Sequence, residues 1–577
     1  MKNITRPYGY KIPVDTKKSH GKIAHGFLTP PQDLSPQVQC IVPKRVLPII
    51  FIPGIMGSNL RLNLARQNLL GLDNNIAWRP DNKSVTLAQY NDTRRERQLR
   101  LDFMNTEVDS YDPINNPTGD ALETSDERNE SVVYSSGYRG FGRLDGPLLQ
   151  SDDPRINGAR TKDQKARERG WGEVFFGSYQ EILSTCESRI NSAFSQGSID
   201  IFLKKFVVEK SPSIWEADAG IPMEKLSEEA IREAVIGCWF PVHAMGYNWL
   251  KGNAISAIKI ATRISDLIAS YKSQGFHCEK VILVTHSMGG LVARGVIHPK
   301  IGGINEKVLG IVHGVMPAVG AGVAYKRMRC GVEGSGVAGG IAASVLGNNA
   351  AQVTAVLADA QGALELLPNR MYGQKWLELR QKEKVIQSWP EKCPYEEIYK
   401  VRGKWFSLFS EDLINPAEID FRGFDFTVGL LNSAKNFHDL IESTYHPQSF
   451  AHYGADKERK ACYKVVWHIA SVAQIENPEF LSLVKDNFTG RLVLEESNSG
   501  EGDHARSFVE IEILEAADPG DQTVPVYSAD AQLRSKKFKG IFRQSGYEHQ
   551  ASYSNSKVVA ATLYSLFKII QTMKWSA

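Results

Sequence analysis

The chain has 577 residues, of which 42% are hydrophobic and 23% are charged, and its formal net charge is +3. This length exceeds what a single hydrophobic core supports, so the chain contains either two domains or one scaffold with large insertions. Positive and negative residues are interspersed, and so small a charge excess argues against nucleic acid as a partner. The seven cysteines include no C-x-x-C pair, which indicates reduced thiols.

The N-terminal segment MKNITRPYGYKIPVDTKKSHGK contains no apolar stretch, so we expect synthesis in the cytoplasm without a signal peptide. The least charged run, 308–325, is interrupted by glycine, proline and His313. A membrane-spanning helix needs about 20 apolar residues without such interruptions. We therefore expect any contact with a membrane to be peripheral.

Short apolar runs, each followed by a turn and a helical pattern, recur along the chain. The first are 45–52 and 239–245, and a helix is predicted after the second, over 254–272. Uninterrupted apolar strands that alternate with helices predict the α/β class, with a mostly parallel central sheet covered on both faces. The alternating runs RLVLEE and SFVEIEIL predict a hairpin. The later strand-like runs and the final predicted helix are 280–285, 308–312, 463–470, 539–542 and 557–570.

Two long intervals break this alternation and are predicted to be cap or lid insertions, the first at 61–233 and the second at 321–460. The Gly/Ala-rich stretch 334–347 and the apolar residues after it are expected to form either a mobile lid over an apolar pocket or simply the core of the cap. The lid candidates are Val353, Leu357, Leu364 and Leu367. The remaining segments are predicted to be an N-terminal extension, 1–44, and the α/β core, 45–60, 234–320 and 461–577.

The strongest local signal is the segment VTHSMGG at 284–290, which lies between an apolar strand and a helical pattern. A nucleophile elbow has this context, because a sharp turn there lifts one hydroxyl above the sheet edge. The usual motif is G-x-S-x-G, and Thr285 occupies the position of its first glycine. We predict Ser287 as the nucleophile; the alternative is a serine that only caps a helix.

A serine nucleophile needs an oxyanion hole, made of backbone N–H groups aimed at the developing charge. One donor is expected from Met288, the residue after the serine. The other is expected from the glycine-rich loop that follows the run 45–52. We predict the amide of Ile55 as this second donor, with Met56 as the alternative.

An acid and a histidine are expected downstream of the serine, in that order. The segment DPGDQTVP at 518–525 supplies Asp521 as the predicted acid, with Asp518 as its rival. His549 alone among the thirteen histidines follows Asp521, and it is the predicted base. This chemistry needs no cofactor. We predict no metal site, because the spacing of His438, His446 and His452 does not match a zinc protease.

The segments IFIPGIMGSNL, WGEV, YNW, THSMGG, GALELLPN and GDQTVP together resemble the lecithin:cholesterol acyltransferase-like lipases. More narrowly, the chain resembles the antibacterial phospholipase effectors that bacterial type VI secretion systems deliver. The resemblance runs in blocks from about residue 45 to the C-terminus. It implies an α/β-hydrolase fold with a triad of Ser287, Asp521 and His549.

The resemblance further implies a phospholipase A that hydrolyses acyl esters of membrane glycerophospholipids without a cofactor. It implies injection by the secretion apparatus into the periplasm of a target cell. It also implies a cognate immunity protein that occupies the cap or the mouth of the active site. Two alternatives stay open: an acyltransferase with the same triad, and a non-catalytic binding protein on a hydrolase scaffold.

Overall fold

The computed structural model describes residues 14–17, 21–26, 37–41, 43–111, 147–152, 154, 157–195, 197–333, 345–470, 475, 478–496 and 507–576. Most of the predicted lid stretch 334–347 lies outside these residues. Within the described ranges, no helix combines the length and the apolar character that crossing a membrane requires.

A six-stranded sheet, the central sheet, forms the core of the fold, and all of its strands are parallel. The strands Ile49–Ile52 and Val281–His286 are buried along their whole length, which explains why they are unbroken apolar runs in the sequence. The expected α/β class with a parallel central sheet is confirmed. In spatial order the strands are Val242–Ala244, Ile49–Ile52, Val281–His286, Val308–Gly314, Ser449–Gly454 and Phe538–Gln544.

Each face of the central sheet packs into its own apolar cluster. Ile50 and Ile52 belong to one cluster and Ile49 and Phe51 to the other, because successive side chains of a strand point to opposite faces. Helices cover both clusters, as the sequence predicts. The helices on the first side are Asn253–Ser273 and Gly289–Ile297, and those on the second are Phe176–Asn191 and Ser556–Ile570.

The structure contains a second six-stranded sheet, and one strand expected in the central sheet belongs to it. The strand Val465–Ile469, from the run 463–470 expected in the central sheet, lies in this second sheet instead. An apolar run indicates a buried strand but does not specify which sheet buries it. The hairpin expected from RLVLEE and SFVEIEIL forms two of the antiparallel strands. In order, the strands are Lys384–Trp389, Leu377–Gln381, Val465–Ile469, Ser507–Ile513, Arg491–Glu496 and Leu481–Asp486.

The second predicted insertion, 321–460, contains the central-sheet strand Ser449–Gly454. This strand pairs in parallel with a neighbour on each side, so the core resumes before residue 460. The other predicted domain boundaries stay predictions. Within the N-terminal extension, three antiparallel strands form a small sheet of their own: Val14–Lys17, Gly21–Gly26 and Gln37–Ile41.

The other described elements are mostly short. The strands are Arg45–Val46, Leu60–Leu62, Ile76–Trp78, Thr106–Val108, Phe194–Ser195, Ser198–Ile199, Cys238–Trp239, Asp456–Ala461 and Asp518–Gly520. The α-helices are Leu64–Leu70, Lys83–Tyr90, Arg94–Arg100, Lys162–Glu168, Ile201–Phe206, Glu228–Val235, Gly322–Cys330, Ala350–Leu357, Gln361–Leu364, Phe424–Ile441, Val526–Ala529 and Ala531–Arg534.

Candidate active site

The strand Val281–His286 ends in a sharp turn that presents Ser287 at the carboxyl edge of the central sheet. Ser287 has a φ of 52°, in the left-handed region that residues other than glycine seldom adopt. Its N–H donates to the carbonyl of Gly314 at 2.8 Å. The helix Gly289–Ile297 begins two residues after it. This backbone is the strand–turn–helix of a nucleophile elbow.

Small residues allow the helix to cross the neighbouring strand closely at this turn. A Cβ on Gly289 would lie 2.4 Å from the carbonyl oxygen of Ile52 and 2.5 Å from that of Pro53. Thr285, which replaces the first glycine of the usual motif, is still within the strand and pairs with Ile52 and His313. The departure from the motif therefore falls where a side chain fits.

The structure brings together Ser287, Asp521 and His549. The Nε2 atom of His549 lies 2.8 Å from Ser287 Oγ, and its Nδ1 atom lies 2.8 Å from Asp521 Oδ2. A carboxylate only accepts, so in neutral His549 the proton is on Nδ1 and Nε2 accepts from the serine hydroxyl. The backbone N–H of His549 also donates to the Asp521 carbonyl at 2.9 Å, which ties the two loops together. All three side chains are buried.

Asp521, and not its rival Asp518, contacts the histidine. Its other oxygen, Oδ1, accepts the backbone N–H groups of Thr523 and Val524 at 3.1 Å and 2.7 Å. These bonds hold the carboxylate in place. The Asp518 carboxylate instead accepts two backbone N–H groups just before a strand of the second sheet, each at 3.1 Å.

The glycine-rich loop lies against the predicted nucleophile. A Cβ on Gly54 would be 3.0 Å from the Cβ of Ser287. Ile55 and Met56 line the same cavity as Ser287, and Met288 directly follows the serine at the start of the elbow helix. This placement suits backbone amides as oxyanion donors, and the choice of the Ile55 and Met288 amides stays a prediction.

No protein-family model and no curated protein matches the chain. Among solved structures, the chain is similar to one in the crystal structure of the Tle4-Tli4 complex, with 29% sequence identity and a TM-score of 0.70. The match covers 92% of this chain and 99% of that chain. The chain therefore has the α/β-hydrolase fold and is similar to Tle4. The resemblance to the type VI secretion lipase effectors, indicated by the sequence motifs, is thereby confirmed.

Beneath the site of this Tle4-like chain lies a hydrogen-bonded group that the sequence reasoning missed. His286 Nε2 is 3.0 Å from the carbonyl oxygen of His549, and His286 Nδ1 is 3.1 Å from the hydroxyl of Tyr179. The N–H of Gly54 donates to the same hydroxyl at 3.3 Å. Burial lowers the pKa of His286 to about 3, so the ring is neutral. A carbonyl only accepts, so the proton of His286 is on Nε2 and Tyr179 donates to Nδ1.

These contacts form a continuous series, the support chain, from Gly54 through Tyr179 and His286 to the His549 carbonyl. It connects the loop predicted to hold the oxyanion with the loop that carries the predicted base. The sequence contained a weak signal: Tyr179 follows the WGEV block, and His286 adjoins Ser287. The two side chains are 107 residues apart in sequence, however, so no local spacing pairs them.

A cavity of about 250 Å³ opens at Ser287 in the Tle4-like fold. Of the lid candidates, Leu357 lines this cavity, whereas Val353, Leu364 and Leu367 are fully buried in the first apolar cluster. Most of the side chains that line the cavity are apolar, which suits an acyl chain. The apolar side chains that line it are Ile55, Met56, Trp78, Phe175, Pro317, Ala321, Val323, Ala324, Met328, Val332, Leu346, Leu357, Ala363, Leu366 and Val524.

Proposed function

We propose that this Tle4-like protein is a serine lipase, a phospholipase A that hydrolyses acyl esters of membrane glycerophospholipids. The observation that carries the proposal is the position of His549, at 2.8 Å from both Ser287 Oγ and Asp521 Oδ2. Such an arrangement activates a serine hydroxyl for attack on an ester carbonyl. The apolar cavity at Ser287 supports an acyl ester as the substrate.

In the proposed mechanism, Ser287 Oγ attacks the ester carbonyl while His549 Nε2 takes the hydroxyl proton. Asp521 holds the Nδ1–H and stabilises the imidazolium, and the amides of Ile55 and Met288 stabilise the oxyanion. The intermediate collapses as His549 donates its proton to the leaving lysolipid alcohol, which leaves an acyl group on Ser287. Water, deprotonated by His549, then attacks this ester and releases the fatty acid.

The biological setting is part of the same proposal. The similarity to Tle4 supports a secreted antibacterial effector that a type VI secretion apparatus delivers to the periplasm of a target cell. There the protein contacts the membrane peripherally to reach its substrate. Because the similar solved structure is a complex of Tle4 with Tli4, we also propose a cognate immunity protein that binds this chain.

The test compares the wild-type protein with Ser287→Ala. We expect fatty-acid release from phosphatidylethanolamine and phosphatidylglycerol vesicles by the wild type and none by the variant, with similar thermal unfolding midpoints. Ser273→Ala, at an exposed helix end, is the matched control and should retain full activity. Retained activity in Ser287→Ala would contradict the assigned nucleophile.

Two further outcomes separate the parts of the proposal. Hydrolysis of p-nitrophenyl butyrate without release of fatty acid from either vesicle would leave the nucleophile in place and refute the phospholipid substrate. Transfer of the acyl group to added glycerol or sterol, in place of fatty-acid release, would identify an acyltransferase with the same three residues.

A further inference from the structure

An ion pair stands out on the mainly apolar wall of the cavity. The helix Gly322–Cys330 contributes Arg327 to the lining, and Glu333 lines the cavity three residues after the helix ends. Arg327 Nε donates to Glu333 Oε2 at 2.8 Å. The two side chains are 33% and 36% exposed, so a molecule inside the cavity can reach both.

Both groups of the pair are charged in the folded protein. Burial raises the pKa of the Glu333 carboxyl, but the nearby positive charges of Arg327 and Lys326 lower it by more. The pKa of Glu333 is therefore below its ordinary value. Lys326 Nζ lies 3.8 Å from Glu333 and 3.2 Å from Glu515. The two cations, Lys326 and Arg327, and the two carboxylates, Glu333 and Glu515, together carry no net charge.

We propose that Arg327 and Glu333 bind the headgroup of a zwitterionic glycerophospholipid, with the phosphate on Arg327 and the ammonium on Glu333. This inference rests on the proposed function, since it assigns the substrate class of the same cavity. A guanidinium is well suited to a phosphate because its N–H groups match the phosphate oxygens. A primary ammonium donates to a carboxylate, and the phosphate and ammonium of an ethanolamine headgroup are only two carbons apart.

An anionic headgroup fits the same wall less well. Phosphatidylglycerol has a phosphate for Arg327 but no cation for Glu333, which then repels the negative lipid. Glu548, an exposed residue beside His549, also lines the cavity and adds a further negative charge. Partly exposed ion pairs have modest strength, so we expect a preference of about three- to tenfold in kcat/KM for the zwitterionic lipid.

The experiment uses the full chain and lipids with identical acyl chains, each at the same mole fraction in micelles of a neutral detergent. We expect kcat/KM for phosphatidylethanolamine to exceed that for phosphatidylglycerol about three- to tenfold in the wild type. Glu333→Gln should bring this ratio close to one, and Glu333→Asp, which keeps the charge, should retain most of it. Arg327→Gln should reduce hydrolysis of both phospholipids relative to diacylglycerol.

The matched control is Glu228→Gln, which removes an exposed ion pair with Arg232 outside the cavity lining and should leave the ratio unchanged. Equal rates on the two phospholipids in the wild type, or a preference that survives Glu333→Gln, would overturn the headgroup assignment. Wild-type protein that releases no fatty acid from either phospholipid would instead refute the proposed function. Thermal unfolding of each variant, together with the Glu333→Asp result, distinguishes a lost contact from a lost fold.

Discussion

Replacing Tyr179 by phenylalanine tests the support chain beneath the candidate site. The change removes one oxygen, which accepts the N–H of Gly54 at 3.3 Å and donates to His286 Nδ1 at 3.1 Å. The aromatic ring stays and keeps its packing against Phe51, where the ring centroids are 4.8 Å apart. The variant therefore separates the hydrogen bonds of this oxygen, which also include one with the side chain of Gln550, from the packing of the ring.

The expected loss of stability follows from the two buried groups that lose their partner, the N–H of Gly54 and the Nδ1 atom of His286. A buried polar group without a hydrogen bond costs about 1–3 kcal/mol, and the longer of these two contacts is near the limit for a hydrogen bond. We therefore expect a loss of about 2–4 kcal/mol in the free energy of unfolding. Without the support chain, the Gly54 loop and the His549 carbonyl shift relative to each other. A displacement of the reacting groups by about 1 Å lowers kcat by about 10- to 100-fold.

Tyr271→Phe is the matched control, because the Tyr271 hydroxyl also bonds a buried histidine, His243 Nε2, at 2.9 Å. Neither residue lines the cavity. The assay is the steady-state hydrolysis of p-nitrophenyl butyrate, with denaturant unfolding of each variant. Both variants should lose stability, but only Tyr179→Phe should lose kcat, with little change in KM because the cavity wall is intact. Equal kcat values for the two variants would refute the reasoning.

Three further predictions concern the acid, the elbow and the buried histidines. Asp521→Asn should lower kcat by about 10³–10⁴-fold because it loses the orientation of His549, whereas Asp518→Asn should retain most activity in the same assay. Gly289→Ala should destabilise the fold because its Cβ has no room, whereas Gly429→Ala, with open space on the helix Phe424–Ile441, should stabilise it by about 1 kcal/mol in denaturant unfolding. Burial lowers the pKa of three histidines to about 3, so they stay neutral in the folded state while the unfolded chain protonates below about pH 6.5. Their contribution to the free energy of unfolding is therefore complete above pH 6.5. It decreases by about 1.4 kcal/mol per histidine for each pH unit as the pH falls toward 3. A denaturation midpoint that is flat between pH 7 and pH 5 would contradict this. The three histidines are His286, His313 and His452.

The core strands and the elbow were predictable from the sequence because their signals are local. A strand buried on both faces must be apolar at every position, as Val281–Val284 is, and the turn after it needs small residues at fixed places. The order of serine, acid and histidine along the chain selected His549 without any knowledge of distance, but it left Asp518 as a rival to Asp521. The structure then brings Asp521 and His549 within hydrogen-bond reach of each other.

Other features were decided only by the tertiary structure, because they depend on which distant segments meet. The strand Val465–Ile469 has the composition of a central strand, yet its neighbours belong to the second sheet. The contact between His286 and the His549 carbonyl joins residues 263 positions apart. Periodicity and composition encode whether a residue is buried, whereas the partner of a buried polar group is set by the packing of the whole chain.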